Sequence, residues 1–88
     1  MFYLYILKSD DNKLYVGITK NIARRVAAHN AKQGARFTRN NNSFCVVFTE
    51  RYKSFTLARK REIQLKKWRR EKKEFLIKMH QRGIDTRL

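Results

Sequence analysis

The chain has 88 residues, 42% hydrophobic and 12% aromatic, and carries 22 Lys and Arg against seven Asp and Glu, a net charge of +15. This length allows one small domain with one modest core, and the apolar content excludes a disordered chain. Self-repulsion at this charge opposes compaction, so the composition points to a polyanionic partner.

The single cysteine excludes an internal disulfide framework and any cysteine-built metal cluster, and suits a reducing compartment. No apolar run approaches a membrane span. The N-terminal MFYLYILK has neither a preceding basic region nor a small-residue cleavage site. A cytoplasmic protein with no membrane association is therefore expected.

Phe2 to Leu7, FYLYIL, is aromatic and branched throughout. It reads as a strand buried on both faces and central in its sheet. Ser9-Asp10-Asp11-Asn12 supplies turn chemistry, and Lys13 to Thr19 reads as a second strand, antiparallel to the first across a short hairpin. Gly17 interrupts that second strand. It marks either a bulge or tight helix contact, or the close approach of another backbone or a ligand. Asn21 or Thr19 caps a helix running to about Ala31, with Ile22 and Val26 on its apolar stripe. At 100° per residue Arg25 and His29 fall beside that stripe, one turn apart, while Arg24 faces solvent. Gln33 to Ser43 reads as an exposed basic loop carrying Arg36 and Arg39.

Phe44 to Tyr52 is a third strand, with Cys45 expected as a small buried residue. Ser54 caps a long helix, roughly Phe55 to Arg70, with Phe55, Ala58, Leu65 and Trp68 inward. Glu62 lies on the same stripe and is the only acid between Arg51 and Arg70. A helix from Glu71 to Arg82 follows, with Phe75, Leu76 and Met79 inward, ended by Gly83. The expected architecture is a single α+β domain over residues 1–82 in the order β-β-α-β-α-α, a small, mainly antiparallel three-stranded sheet flanked by helices. Residues 83–88 are expected to fray.

Tyr5, Tyr15, Arg25, His29 and Glu62 are polar residues where packing alone does not ask for them. Taken singly each has an ordinary reading: strand aromatics, a surface arginine whose stem covers the core, a core-edge histidine, a salt-bridged glutamate. The position of Glu62 on an apolar stripe argues for more, since a buried carboxylate must be paired or metal-bound. The cations of the long helix read as a phosphate-binding surface rather than a merely solvated face.

With these residues in place, the chain resembles a small stand-alone GIY-YIG nuclease domain of the bacterial type. Such domains are related to the nuclease modules of the bacterial repair excinuclease and of structure-specific junction endonucleases. The first motif is Tyr3-Leu4-Tyr5, with tyrosine in place of the usual glycine. The second is Tyr15-Val16-Gly17. Arg25 and His29 follow in R-x-x-x-H spacing, and Glu62 matches the later glutamate. A further polar residue that some members carry near the end of the site has no match here.

The resemblance implies a metal-dependent endonuclease that hydrolyses phosphodiesters in DNA, structure-selective or without sequence specificity, with a role in repair or recombination. Its catalytic residues would be Tyr5, Tyr15, Arg25, His29 and Glu62. Glu62 would hold one divalent cation, Mg²⁺ or Mn²⁺. Tyr5 would be the general base or water-orienting group, with its pKa lowered by nearby positive charge. Tyr15 would orient water or phosphate, and His29 would either assist proton transfer or only hold Tyr5. Gly17 would make room for the site. Arg36, Arg39, Arg59, Lys66, Lys67, Arg69 and Arg70 would hold the nucleic-acid backbone. The alternative is a non-catalytic or partner-dependent module of the same fold that binds DNA or RNA.

Overall fold

The computed structural model describes residues 1–36, 43–84 and 86, with the side chains of 32–36 outside that set. Three strands, β1 (Phe2–Ser9), β2 (Leu14–Thr19) and β3 (Phe44–Tyr52), form one sheet in the order β2-β1-β3. Both pairings are antiparallel. The helices are α1 (Ile22–Arg36), α2 (Phe55–Lys67) and α3 (Arg70–Gln81). The expected order and the central first strand are both observed.

The apolar run of β1 is explained by that central place. Leu4, Ile6 and Leu7 are fully buried, and Tyr5 nearly so. Alternation along the strand divides the core into two clusters. Leu4 and Ile6 pack with Phe48, Leu65, Leu76 and Ile77, which brings α2 and α3 onto one face. Tyr5 and Leu7 pack with Phe44 and Val26, which brings α1 onto the other.

Local chemistry sets the boundaries. In the β1–β2 turn Asn12 takes a left-handed φ of 71°, which asparagine tolerates better than most residues. The buried Ser9 hydroxyl accepts from the Lys13 amide at 3.0 Å and donates to the Asp11 carboxylate. The Asn21 side chain caps α1 by accepting from the Arg24 amide at 3.0 Å, and Ser54 caps α2 through the Leu57 amide. At the end of α3, Gly83 adopts φ 72°. Its amide donates to the His80 carbonyl at 3.1 Å, and the Ile84 amide donates to the Met79 carbonyl at 2.9 Å. These paired bonds satisfy carbonyls that the helix leaves open.

Several expectations are corrected. Helix α1 runs on to Arg36 rather than stopping near Ala31; Lys32, Gln33, Ala35 and Arg36 are good helix formers and carry it through Gly34. Residues 37–42 of the expected basic loop, Arg39 among them, and the side chain of Arg36 lie outside the described residues. Cys45 is exposed, not buried. Strand β3 is an edge strand, and its register against β1 shifts at Ile6/Leu7, where Ile6 faces Phe48 and Leu7 faces Val46. The extra residue, Val47, changes which side chains face the core.

Phe55 and Phe75 are 53% and 58% exposed, not inward. Phe55 packs at the rim, edge-on to Phe2 with ring centroids 5.7 Å apart, while Leu76 and Ile77 make the α3 contact. The expected division into two helices is present, but the boundary falls at Trp68 rather than Arg70: its extended ψ of 147° ends α2 and lets α3 start at Arg70. Its ring takes Lys72 Nζ over it at 4.1 Å and the Arg61 guanidinium at 5.4 Å, so the break is held by two cations.

Candidate active site

Tyr5 is the centre of the site. In the β1–β2 register it lies directly opposite Gly17, and its ring crosses over that glycine. A Cβ built at Gly17 would lie 2.6 Å from the Tyr5 ring carbon Cζ and closer still to the hydroxyl. Gly17 therefore marks a close approach, but what approaches is a side chain of the same sheet.

The phenol is held above its ordinary pKa. Burial is the main cause, the charge of Arg25 opposes it, and the charge of Glu62 adds to it. Both charges thus influence the Tyr5 phenol. The expected lowering of this pKa is not what Arg25 alone achieves in the free protein. Arg25 lies in the first turn of α1, exposed, in a turn that has no acidic residue. The helix N-terminus adds partial positive charge at the same place.

Tyr15 is on the same face as Tyr5, opposite Leu7, and is 40% exposed. Its ring stands edge-on to Phe44 at 5.3 Å and tilted to His29 at 6.5 Å, and His29 lies 5.3 Å from Phe44. A residue not singled out in the sequence sets this cluster. The Asn30 side-chain amide grips the backbone of Phe44, accepting from its N–H at 2.7 Å and donating to its carbonyl at 3.4 Å. That clasp ties the third turn of α1 to the start of β3, with the Phe44 ring in contact with both Tyr15 and His29. An Asn after His29 was the available signal, since an amide pairs with a strand edge as a backbone does.

Glu62 is buried as expected, and both its oxygens are engaged. Arg59 Nη1 lies 2.5 Å from Oε1 and Lys66 Nζ 3.1 Å from Oε2. Burial pushes its carboxyl up, but the hydrogen bonds and charges of Arg59 and Lys66 outweigh that and leave the pKa lowered. Arg59 and Lys66, expected as backbone-binding residues, are thus also the partners of the site carboxylate. Lys67 and Arg69 are exposed, and Arg70 pairs with Glu74 at 3.2 Å.

Beside Glu62, Arg61 points the other way. It is buried and donates to both oxygens of Glu50, at 3.0 and 3.3 Å, to Gln64 at 2.9 Å, and to the Thr86 carbonyl at 2.9 Å. Tyr52 donates to the same Glu50 at 2.9 Å. Burial, then the Glu50 hydrogen bond and charge, push the Tyr52 phenol up to about 12. Neither Glu50 nor Arg61 stood out in the sequence.

Glu62 fits a hard divalent cation as a single oxygen donor. Among the described residues no group of three or more His, Cys, Asp or Glu side chains could enclose a metal. The other ligands would have to be water and substrate oxygens.

This arrangement, a buried tyrosine over a strand glycine, an arginine at the head of the following helix and a lone acid on a later one, is that of a nuclease-type domain. The GIY-YIG catalytic domain matches residues 1–74, and the chain belongs to the GIY-YIG family. Similar relatives include UPF0213 protein NP_0776A of Natronomonas pharaonis, 44% identical over 75 residues, 85% of this chain and 88% of the relative. UPF0213 protein SH2523 of Staphylococcus haemolyticus is 39% identical over 75 residues, 85% of this chain and 92% of the relative. The solution NMR structure of UPF0213 protein BH0048 from Bacillus halodurans has the same fold, with a TM-score of 0.59 and 35% identity over 90% of this chain and 85% of that one. The family implies a nucleic-acid substrate. Among the described residues no helix is long and apolar enough to cross a membrane.

Proposed function

We propose that the protein is a metal-dependent endonuclease that hydrolyses phosphodiester bonds in DNA through contacts to the backbone rather than to bases. The observation that carries this reading is the Tyr5 hydroxyl, packed over Gly17 and acted on by both Arg25 and Glu62.

In this reading Arg25, reinforced by the N-terminus of α1, hydrogen-bonds the scissile phosphate and stabilises the charge that grows in the transition state. Tyr5 faces the attacking water. Its raised pKa keeps it a neutral phenol at neutral pH in the free protein, so it orients the water by accepting a hydrogen bond. Full proton abstraction needs more positive charge at the site than Arg25 supplies. Glu62 would hold one Mg²⁺ or Mn²⁺, which when bound neutralises phosphate and leaving-group charge. Tyr15 and His29, braced by Phe44, form the flank that positions water or phosphate. His29 acts through that bracing or as a proton carrier. Lys67 and the cations beside Glu62 on α2, with Arg69 at the start of α3, offer basic groups for the flanking backbone. A cytoplasmic role in repair or recombination is the setting that the resemblance suggests.

The test is cleavage of supercoiled plasmid, single strands, flaps, junctions and RNA with and without Mg²⁺ or Mn²⁺, alongside binding by anisotropy. Metal-dependent cleavage lost in Arg25→Ala with binding retained supports the reading. Salt-sensitive binding with no cleavage of any substrate would leave a binding module of the same fold.

A further inference from the structure

The surroundings of Glu62 are asymmetric. Its carboxylate is 7% exposed, whereas the two cations on it, Arg59 and Lys66, are each 53% exposed. The helical repeat explains the bracket: residues three before and four after Glu62 reach it from adjacent turns. The acid is fixed by the core of α2, between Ala58 and Leu65. The cations come to it from solvent and can leave by rotating their own side chains.

Two demands meet on this carboxylate. A divalent ion on either oxygen would lie within a few ångströms of two cationic heads, and like charges that close repel. Those same heads are also the first positive groups that a phosphate approaching Glu62 meets. A phosphate offers guanidinium and ammonium groups the charge-assisted hydrogen bonds that the carboxylate gives them now.

We propose that Arg59 and Lys66 exchange partners during binding: in the free protein they occupy the oxygens of Glu62, and on nucleic acid they move to backbone phosphates and release those oxygens to the metal ion. The inference rests on the metal role of Glu62 proposed above. Nucleic acid and divalent ion then bind with positive, reciprocal coupling. The free protein holds metal weakly although its one candidate ligand is preformed.

The test is Mn²⁺ binding, by calorimetry and by the electron paramagnetic resonance of free Mn²⁺, with and without a short DNA duplex. All proteins carry Tyr5→Phe so that the DNA stays intact. Four are compared: that parent, Arg59→Gln/Lys66→Gln, a charge-matched control Lys53→Gln/Lys60→Gln at exposed lysines, and Glu62→Gln. Without DNA, the Arg59/Lys66 pair of substitutions is expected to tighten Mn²⁺ binding about tenfold, within the usual range of coupling factors, and the control far less. DNA is expected to tighten Mn²⁺ binding in the parent and to add little in Arg59→Gln/Lys66→Gln. Equal tightening by the two double variants, or an equal DNA effect in both, overturns the exchange while leaving the role of Glu62 intact. Mn²⁺ binding that is the same in Glu62→Gln as in the parent, with DNA present, overturns the metal role of Glu62 and the exchange with it.

Discussion

At the scale of single residues, two tyrosines show how position decides chemistry. Tyr5 has no room to share with a side chain at position 17. Gly17→Ala is expected to cost about 1–3 kcal/mol by overpacking, read by urea unfolding, and to lower cleavage by displacing the Tyr5 hydroxyl. Retained stability and activity would mean that the ring is not fixed there. Tyr52 owes its raised pKa to burial and then to Glu50. A folded-state pKa above the ordinary value favours the protonated form. Its contribution to stability is therefore complete below the ordinary phenol value of 10.0 and lost as pH rises through about 12. An ultraviolet phenolate titration is expected to show a late-ionising tyrosine that disappears in Tyr52→Phe.

At the scale of elements, the tie between β3 and α2 is the Arg61–Glu50 pair, 8% and 12% exposed at the side chains. Removing one partner of such a pair strands the other in the interior. Arg61→Ala is expected to cost about 3–5 kcal/mol, measured by denaturant unfolding, and a loss below about 1 kcal/mol would show that water replaces the guanidinium. This tie was illegible in the sequence, because two charges far apart in the chain look like two solvated charges until the strand and helix are docked. The elements themselves were legible where local chemistry speaks: the apolar run of β1, the Asn21 and Ser54 caps, and Gly83. They were not where tertiary packing decides. Two helices were expected here, but no proline or glycine sets their break at Trp68 rather than after Arg70, and nothing in FCVV shows the β3 register shift. Of the candidate site, Tyr5, Gly17, Arg25 and Glu62 were named through motif spacing; the structure stacks Tyr5 over Gly17, and the charges of Arg25 and Glu62 both influence its phenol. The Asn30 clasp and the pairing of Arg59 and Lys66 with Glu62 needed the folded helix.

At the scale of the whole molecule, the +15 charge makes salt the main control on binding. Each phosphate contact contributes about −0.9 to the slope of log K against log salt on duplex DNA. Arg59→Gln/Lys66→Gln is expected to make that slope shallower by about 2, and Lys53→Gln/Lys60→Gln to change it less, both read by anisotropy across a salt series. An unchanged slope in the first would mean that those two cations never reach phosphate. The most direct test of the nuclease reading is single-turnover cleavage of the best DNA substrate in Mg²⁺ by the wild type and Glu62→Gln, with DNA binding followed in parallel. Cleavage by the wild type that needs the metal and falls by at least about 10²-fold in Glu62→Gln, with binding retained, is the expected result. Cleavage that is equal in the two proteins, or that proceeds without metal, would contradict it.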